Sequence, residues 1–318
     1  MARPAVRPKV WPQRLRRALL GVMGLFGLLL LALGVQHLRL SGGPALGPPV
    51  PGGLRLATHN VHYIVTRRDT GRWSLADWRR RKPVLDATFK ALAADLVAFQ
   101  EMESFAGGSG SDENLARDWL LQQNPGYAAA ATGPWREFPP TQPILYRRAR
   151  LELLDQGWFF FSETPEVIYS RTFNGSWPAF AAWAEFRDRR DGAVFRVLNL
   201  HLDYSSLDNR RKSVALIRAR LADWRAAGHS MVVLGDFNAL AGSALLAPLE
   251  AEGLRFVPVP GATYHFDRGL NLFGAIDHVG LGPGLRALRP AAVVFRERLG
   301  PVWPSDHYPV VVDVTFGD

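Results

Sequence analysis

Acidic, amide and imidazole side chains recur in this sequence where short apolar segments end. The clearest case is the segment 231–239, in which a β-branched apolar run stops at Gly235, Asp236, Phe237 and Asn238. On an extended chain Asp236 and Asn238 point to the same side, while Phe237 points back toward the core. A carboxylate beside an amide at a strand end can orient a water molecule and bind a phosphate oxygen. The alternative is an Asx turn, which such residues also form after strands.

The same pattern recurs at other predicted strand ends. The residues concerned carry polar side chains suited to metal binding or proton transfer: Asn60, Glu101, His201, Asp203, Asp277, Asp306 and His307. If these ends converge, four carboxylates share one cleft, and their repulsion raises their pKa values unless a cation is bound. Oxygen ligands favour Mg²⁺ or Mn²⁺ over zinc. The pattern therefore indicates a divalent-metal site.

Composition excludes some classes of protein. The 318 residues include no cysteine, which rules out disulfides, thiolate metal sites and cysteine nucleophiles. The net charge is +9, but six basic residues precede residue 18 without any acid, so +3 remains for the rest of the chain. The basic character is thus mostly an N-terminal feature and weak evidence for a nucleic-acid-binding face.

An apolar run follows this basic flank. Every residue from 18 to 35 is apolar or glycine, and a helix of that length spans ~27 Å, enough to cross the hydrocarbon of a bilayer. The positive-inside rule places the flank in the cytoplasm and the rest of the chain on the outer, periplasmic or extracellular side. The alternative is a cleaved signal peptide, with small residues at 32–34 or 45–47, although the run is longer than usual for one.

Four regions follow from these features. Residues 1–17 are the basic cytoplasmic flank, 18–40 the transmembrane anchor, 41–53 a Gly/Pro linker and 54–318 the soluble domain. The linker is expected to be extended and unable to pack.

Within the soluble domain, strands and helices alternate irregularly. Strands are predicted at 54–60, 96–99, 142–147, 151–161, 179–186, 194–202, 231–239, 275–281, 291–296 and 308–316, and helices at 74–94, 112–124, 209–226 and 243–252. Ser74 is a possible helix cap and Pro83 a possible kink or break. Hairpin-like neighbours are common, which favours a mixed, largely antiparallel α/β domain with helices covering the sheets.

Seven motifs in this order make the domain resemble the endonuclease/exonuclease/phosphatase superfamily, which has the DNase I-like fold. They are Thr58-His59-Asn60, Phe99-Gln100-Glu101, Gln142 to Arg147, Asn199 to Asp203, Gly235 to Asn238, Ile276-Asp277-His278 and Ser305-Asp306-His307. The resemblance implies a four-layer sandwich of two mixed, mainly antiparallel sheets flanked by helices. It also implies hydrolysis of a phosphate ester with Mg²⁺ or Mn²⁺.

The resemblance further implies a role for individual residues. Glu101 would be the main metal ligand, with Asp306 and Asn60 near the ion or its waters. Asp236 would orient or deprotonate the attacking water, and Asn238 would hold that water and a phosphate oxygen.

Other residues would act on the phosphate. His307, paired with Asp277, would serve as base or as a donor to the transition state. His201 would place a second imidazole on the phosphate, and Tyr146 a hydroxyl. Together these groups would supply charge neutralisation, a positioned water and donors to the phosphate oxygens.

The remaining polar residues are less decisive. The histidines His59, His62, His265 and His278 are interpreted as packing or surface residues. For Asp203 and Arg210, a site role and a scaffold role are equally open.

At two positions this chain departs from the motifs of the abasic-site endonucleases of the superfamily. Glu103 stands where abasic-site endonucleases resemble one another in carrying lysine, and Asn199-Leu200-His201 replaces their Pro-Asn motif. Both departures argue against a repair endonuclease. Because the anchor would hold the domain close to lipid head groups, we expect a monomeric, membrane-anchored phosphohydrolase that acts on phosphodiesters, with lipid head groups as the leading substrate. A surface nuclease is the alternative, and a non-catalytic scaffold is a third hypothesis.

Overall fold

The computed structural model describes residues 13–105 and 110–317, so most of the basic flank lies outside the described residues. The helices are α1 (Gln13–Leu40), α2 (Leu75–Leu92), α3 (Leu115–Gln123), α4 (Leu207–Ala226) and α5 (Ala247–Glu250). The strands are β1 (Leu54–Asn60), β2 (Ile64–Val65), β3 (Leu96–Gln100), β4 (Ser104–Phe105), β5 (Tyr127–Ala130), β6 (Ile144–Arg147), β7 (Leu151–Phe160), β8 (Phe180–Asp188), β9 (Val194–His201), β10 (Ser230–Asp236), β11 (Arg255–Phe256), β12 (Asp277–Leu281), β13 (Leu285–Ala287), β14 (Ala292–Val293) and β15 (Val310–Phe316).

Two large sheets carry the fold. The first has the order β13-β15-β1-β3-β6-β5, with β14 also paired to β15, and the second has the order β11-β12-β10-β9-β8-β7. Strands β2 and β4 form a small parallel pair beside them. Most pairs in the large sheets are antiparallel, but the central pairs β1–β3 and β9–β10 are parallel. The predicted mixed, mainly antiparallel architecture is confirmed.

The sheets pack face to face, and helices cover their outer faces. Residues of both sheets, such as Leu56 and Val232, form the core between them. A second core lies under α2 and α3, where Phe89 packs near Val97, and a third lies under α4 and α5 around Ile217. Strand β10 is therefore buried on both faces, which explains its continuous apolar sequence.

Local sequence signals account for most helix ends. Ser74 accepts a hydrogen bond from the backbone N–H of Asp77 and caps α2, as predicted, and the helix continues through Pro83. Helix α3 begins later than predicted because Asn114 is its cap. The predicted helix at 243–252 is reduced to the single turn of α5.

The predicted linker, residues 41–53, packs against the domain, contrary to expectation. Leu46 contacts the core under α2, and the carbonyl of Gly47 accepts a hydrogen bond of 2.9 Å from Arg55. Arg55 is itself buried and paired with Asp313. Glycine and proline prevent regular structure here, but they leave backbone carbonyls free. The buried guanidinium of Arg55 and the half-buried one of Arg289 bind those carbonyls.

Helix α1 differs from the other helices in its exposure. Among the described residues it alone is long and apolar enough to cross a membrane, and its apolar window is fully exposed. Insertion of α1 into a bilayer is a prediction.

Candidate active site

The carboxyl ends of the two parallel strand pairs bring the predicted residues together. Asn60 ends β1 and Glu101 follows β3, while His201 ends β9 and Asp236 ends β10. Because the sheets pack face to face, these four ends meet at one edge of the sandwich. The first residue of β12, Asp277, pairs with Asp236 in the sheet and so joins the same edge.

Gly235 allows β10 to run close to β9 at this point. Its φ angle is +141°, and a Cβ atom there would lie 2.0 Å from the carbonyl oxygen of Leu200. Only glycine avoids that collision. The next residue, Asp236, is thereby held against its neighbours with 1% of its surface exposed.

Asn60 connects the two sheets at the site. Its side-chain amide donates hydrogen bonds to Glu101 Oε1 at 3.0 Å and to Asp236 Oδ2 at 3.2 Å, and its Oδ1 faces the backbone N–H of His62. In this orientation Asn60 positions two carboxylates. Asn60 was predicted to lie near the metal ion or its waters. Its side-chain nitrogen instead donates hydrogen bonds to two carboxylates, which still leaves it next to a metal bound there.

His307 and Asp277 form a buried pair behind Asp236. The Nδ1 atom of His307 lies 2.9 Å from Asp277 Oδ2, and its Nε2 atom lies 3.7 Å from Asp236 Oδ2. Burial alone would lower the pKa of His307, but the charges of Asp277, Asp236 and Asp306 raise that pKa to about 10. The imidazole is therefore positively charged at neutral pH, with Nε2–H facing Asp236.

The pKa of Asp236 is also raised, which for a carboxylate favours the neutral form. Burial and the nearby charge of Asp277 raise the pKa of Asp236 to about 6, against the lowering effect of His307 and His201. A carboxylate with a raised pKa is a better proton acceptor, as a general base requires. The pKa of Asp277 is instead held below its usual range, because its contact with His307 outweighs its burial.

Glu101 and Asp306 lie on either side of His62. The Nδ1 atom of His62 is 3.6 Å from Glu101 Oε2, and its Nε2 atom is 3.8 Å from Asp306 Oδ2. Burial raises the pKa of Glu101, but His62, His201 and Asn60 outweigh it and lower that pKa to about 2. Glu101 is thus ionised and faces the cleft.

His62 is a site residue that sequence reasoning missed. It is 6% exposed and lines the cleft, and its Nε2 atom accepts a hydrogen bond from the Trp73 indole N–H. That bond leaves the proton of a neutral His62 on Nδ1, beside Glu101. The sequence around His62 does not indicate a site residue, because its side chain is turned toward the carboxylates by a left-handed backbone conformation, with φ of 66°.

The other three histidines interpreted as packing residues are buried against rings or backbone carbonyls: His59, His265 and His278.

Asn238 and His201 complete the predicted set in the cleft. The backbone N–H of Asn238 donates to Asp236 Oδ1 at 2.8 Å, and its side chain donates to the Leu202 carbonyl. Its φ angle is +45° and that of Glu101 is +54°. Backbone in this region is strained for residues other than glycine, and such strain concentrates at functional sites. His201 Nε2 lies 3.6 Å from Asp236 and 3.9 Å from Glu101.

Tyr146 lies away from the site, contrary to prediction. Strand β6 is antiparallel to β3, and Tyr146 pairs with Leu96, the first residue of β3. Glu101 follows the other end of that strand, so Tyr146 is displaced by roughly 13–17 Å along the sheet. Its ring packs on Phe186, 5.0 Å away, and contributes to the core between the sheets.

Asn199 fastens the two sheets together directly below the site. Its amide donates to the backbone carbonyls of Phe99 and Gln142, and its Oδ1 accepts from Gln100 at 2.7 Å. All of these groups are buried, so the network fixes the relative position of β3 and β9. Asp203, by contrast, accepts hydrogen bonds from the backbone N–H groups of Ser205 and Ser206, just before α4. Arg210 donates to the Asp203 carbonyl, so both residues have a scaffold role.

The cleft above these residues has a volume of about 1020 Å³. Its polar floor contains the carboxylates and imidazoles described above. Its walls are rich in aromatic rings: Tyr63, Trp73, Phe105, Phe160, Tyr169, Trp177, Phe180, Tyr204 and Tyr264. The described residues that line it include no lysine or arginine.

The residues at the floor fit a divalent cation. Glu101 and Asp306 offer carboxylate oxygens on either side of one imidazole, and hard oxygen donors of this kind suit Mg²⁺ or Mn²⁺. Asp236, Asp277 and His307 also place one ligand atom each within 4.8 Å of one another. In that second group, however, Asp277 and the Nδ1 atom of His307 bind each other. Glu101 and Asp306 therefore stay the predicted metal ligands.

Comparison with known proteins agrees with this geometry. The sequence profile of the Endonuclease/Exonuclease/phosphatase family matches residues 57–307. The chain belongs to that family. Its members are phosphoesterase hydrolases, and their fold commonly uses divalent metal ions. No curated protein matches the sequence.

Solved structures of the family share the fold. A family protein from Bacteroides thetaiotaomicron superimposes with a TM-score of 0.69 at 23% identity, over 85% of this chain and 99% of that one. A mannosyl-6-phosphatase of the same organism gives 0.66 at 23% identity, over 83% and 100%. D. rerio TDP2, complexed with single-strand DNA product, gives 0.58 at 16% identity, over 83% and 99%. At these identities the likeness concerns the fold.

Proposed function

We propose that the protein is a membrane-anchored, Mg²⁺- or Mn²⁺-dependent phosphodiesterase that attacks the phosphorus of its substrate with water. One observation carries this proposal. A single cleft is lined by the six side chains that the reaction would need: Glu101, His201, Asp236, Asn238, Asp306 and His307.

Each group has a distinct task in the reaction. Asp236 accepts the proton of the attacking water, and Asn238 helps to hold that water and a phosphate oxygen. His307 carries a positive charge, held by Asp277, and donates from Nε2 to an oxygen on which negative charge develops. His201 donates to another phosphate oxygen. A divalent cation at Glu101 and Asp306 would neutralise phosphate charge and polarise the ester.

The lining of the cleft favours a substrate that carries a single phosphate rather than a chain of phosphates. Nucleic acid binding depends on lysine and arginine contacts to successive phosphates, whereas aromatic rings and acids dominate these walls. A phospholipid or sphingolipid head group joined to an apolar body fits the lining better. We therefore place lipid phosphodiesters first and a surface nuclease second.

The position of the domain supports the same order. If α1 spans the bilayer with its basic flank inside, the catalytic domain lies on the outer side, close to lipid head groups. Tethering of this kind raises the effective concentration of membrane substrates. We propose this location and a monomeric state for the protein.

The test is an ester panel with the full chain in detergent micelles. The panel holds sphingomyelin, glycerophospholipids, phosphoinositides, a sugar 6-phosphate, plasmid DNA, oligonucleotides and a chromogenic diester, each with Mg²⁺, Mn²⁺ or chelator. The matched variants are Asp236→Asn and Asp208→Asn, the second in the exposed first turn of α4.

We expect metal-dependent turnover of a lipid diester that is lost in Asp236→Asn and kept in Asp208→Asn. Preferential cleavage of DNA would favour the nuclease. A folded chain that neither binds metal nor cleaves any ester would favour the non-catalytic scaffold.

A further inference from the structure

The C-terminal end of α1 is fixed to the catalytic domain. The backbone N–H of Asn271 donates to His37 Nδ1 at 3.0 Å, and the N–H of Ala262 donates to the Leu40 carbonyl at 3.0 Å. Both donors belong to residues 262–276, a stretch that we call the rim segment. The helix and the rim segment therefore meet at a defined place instead of through a free linker.

The rim segment also forms one wall of the cleft. Tyr264 and Ile276 line the cleft, and the Tyr264 ring lies 5.1 Å from that of His307. Tyr264 and His307 are also joined by an isolated β-bridge. A single short segment thus connects the end of α1 with the catalytic floor.

The outer side of this segment is apolar. Leu270 is 41% exposed and Phe273 is 53% exposed. Leu240, also exposed, lies against Gly274 of the segment. The Phe273 ring packs on Phe266, 5.8 Å away, which supports it in its exposed position. Single exposed apolar residues are common on soluble proteins, but these three lie on or against the segment whose Asn271 binds the end of an exposed apolar helix.

The length of the apolar run in α1 indicates how deep this surface would lie in the bilayer. The apolar run ends at Val35, and His37 lies ~3 Å further along the helix axis. The polar layer of one leaflet is roughly 5–7 Å thick, so His37 and the Asn271 backbone bound to it lie within that layer. Leu270 and Phe273 are one and two residues from Asn271, within ~7 Å of it along the chain.

We propose that Leu240, Leu270 and Phe273 form an interfacial surface that inserts into the head-group region of the bilayer crossed by α1. The exposed arginines Arg39 and Arg268 lie beside this surface, where they can pair with lipid phosphates. The cleft then opens at the membrane, and a lipid phosphodiester enters it without leaving the leaflet. This inference rests on the proposed anchor and narrows the proposed substrate class.

The absence of cysteine makes the proposal directly testable. The full chain carrying Leu270→Cys or Phe273→Cys is labelled with a polarity-sensitive fluorophore and reconstituted into vesicles that contain spin-labelled lipid. The matched control is Val194→Cys, because Val194 is exposed at the start of β9, the end opposite His201. We expect several-fold stronger quenching at 270 and 273 than at 194. Equal quenching at all three sites, or a chain that does not float with the vesicles, overturns the proposal.

A kinetic arm separates this inference from the proposed function. The double variant Leu270→Ser and Phe273→Ser should raise KM for a vesicle-borne ester several-fold while leaving turnover of a soluble chromogenic diester unchanged. A wild-type chain inert toward every ester would contradict the proposed function, whereas the quenching result would still decide whether the surface inserts. Unchanged KM for the vesicle-borne ester would contradict substrate entry from the leaflet.

Discussion

The imidazole of His307 is held by Asp277, whose Oδ2 atom lies 2.9 Å from Nδ1 in a site from which solvent is nearly excluded. This contact does more than orient the ring. It is the main cause of the raised pKa of His307, and it therefore keeps a positive charge next to Asp236 at neutral and mildly alkaline pH.

Removal of the Asp277 charge should therefore disable His307. In Asp277→Asn the hydrogen bond can persist, but the pKa of His307 falls, and kcat should drop on the order of 10²-fold or more, as when a charge-stabilising donor is lost. The loss should be larger at pH 9 than at pH 7, because more of the imidazole is then neutral. The measurement is kcat against pH on a soluble diester, with Asp208→Asn as control. A variant within threefold of the wild type at both pH values would contradict the assigned role.

The pH profile of the native chain should have two limbs. Asp236 must be deprotonated to accept a proton, so activity is present above its pKa and lost as pH falls through it. That pKa is raised to about 6, and a bound cation would lower it, so the acid limb should lie at or below about pH 6. His307 must be protonated to donate, so activity is lost as pH rises through its pKa of about 10. An acid limb above pH 7 in kcat/KM would exclude Asp236 as the base.

Much of the site was predictable because it follows from strand ends. Parallel neighbours such as β1 and β3 necessarily end at the same edge, so Asn60 at the end of β1 meets Glu101, which directly follows β3. Strand β10 likewise delivers Asp236 to the cleft, and Phe237 is buried as expected. Asn238 lies beyond the end of the strand, where its left-handed backbone and its N–H bond to Asp236 Oδ1 form the Asx turn that was the alternative interpretation.

The failures have equally specific causes. Tyr146 was placed by its motif, but an antiparallel strand presents its last residues at the edge opposite Glu101. His62 was overlooked because its direction depends on a left-handed backbone conformation, which no residue pattern there reveals. The packing of residues 41–53 depends on Arg55, a partner in β1 that the composition of the segment does not indicate.

The close approach of β10 and β9 at Gly235 predicts an unusually large cost for a single methyl group. Gly235→Ala should lower the free energy of unfolding by about 3 kcal/mol or more, since overpacking against backbone adds to a strained φ angle. Gly228→Ala is the matched control, because Gly228 also has a positive φ, +79°, but its Cβ would meet no atom within 4 Å. That control should cost only about 1–2 kcal/mol. Equal losses in urea unfolding of the two variants would show that contact with Leu200 is unimportant.

His62 offers a final test of the metal position. With Trp73 bound to Nε2, the Nδ1–H group of His62 faces Glu101, so it should support that carboxylate as a ligand without binding the ion itself. His62→Ala should weaken Mn²⁺ binding about 10–100-fold, the usual effect of losing a group that orients a metal ligand. Titration calorimetry of the metal-free chain measures this without reference to turnover. The control is His229→Ala, because His229 is a half-buried histidine between α4 and β10, and this variant should bind Mn²⁺ as the native chain does. Unaltered affinity in His62→Ala would move the metal away from Glu101, toward the group formed by Asp236, Asp277 and His307.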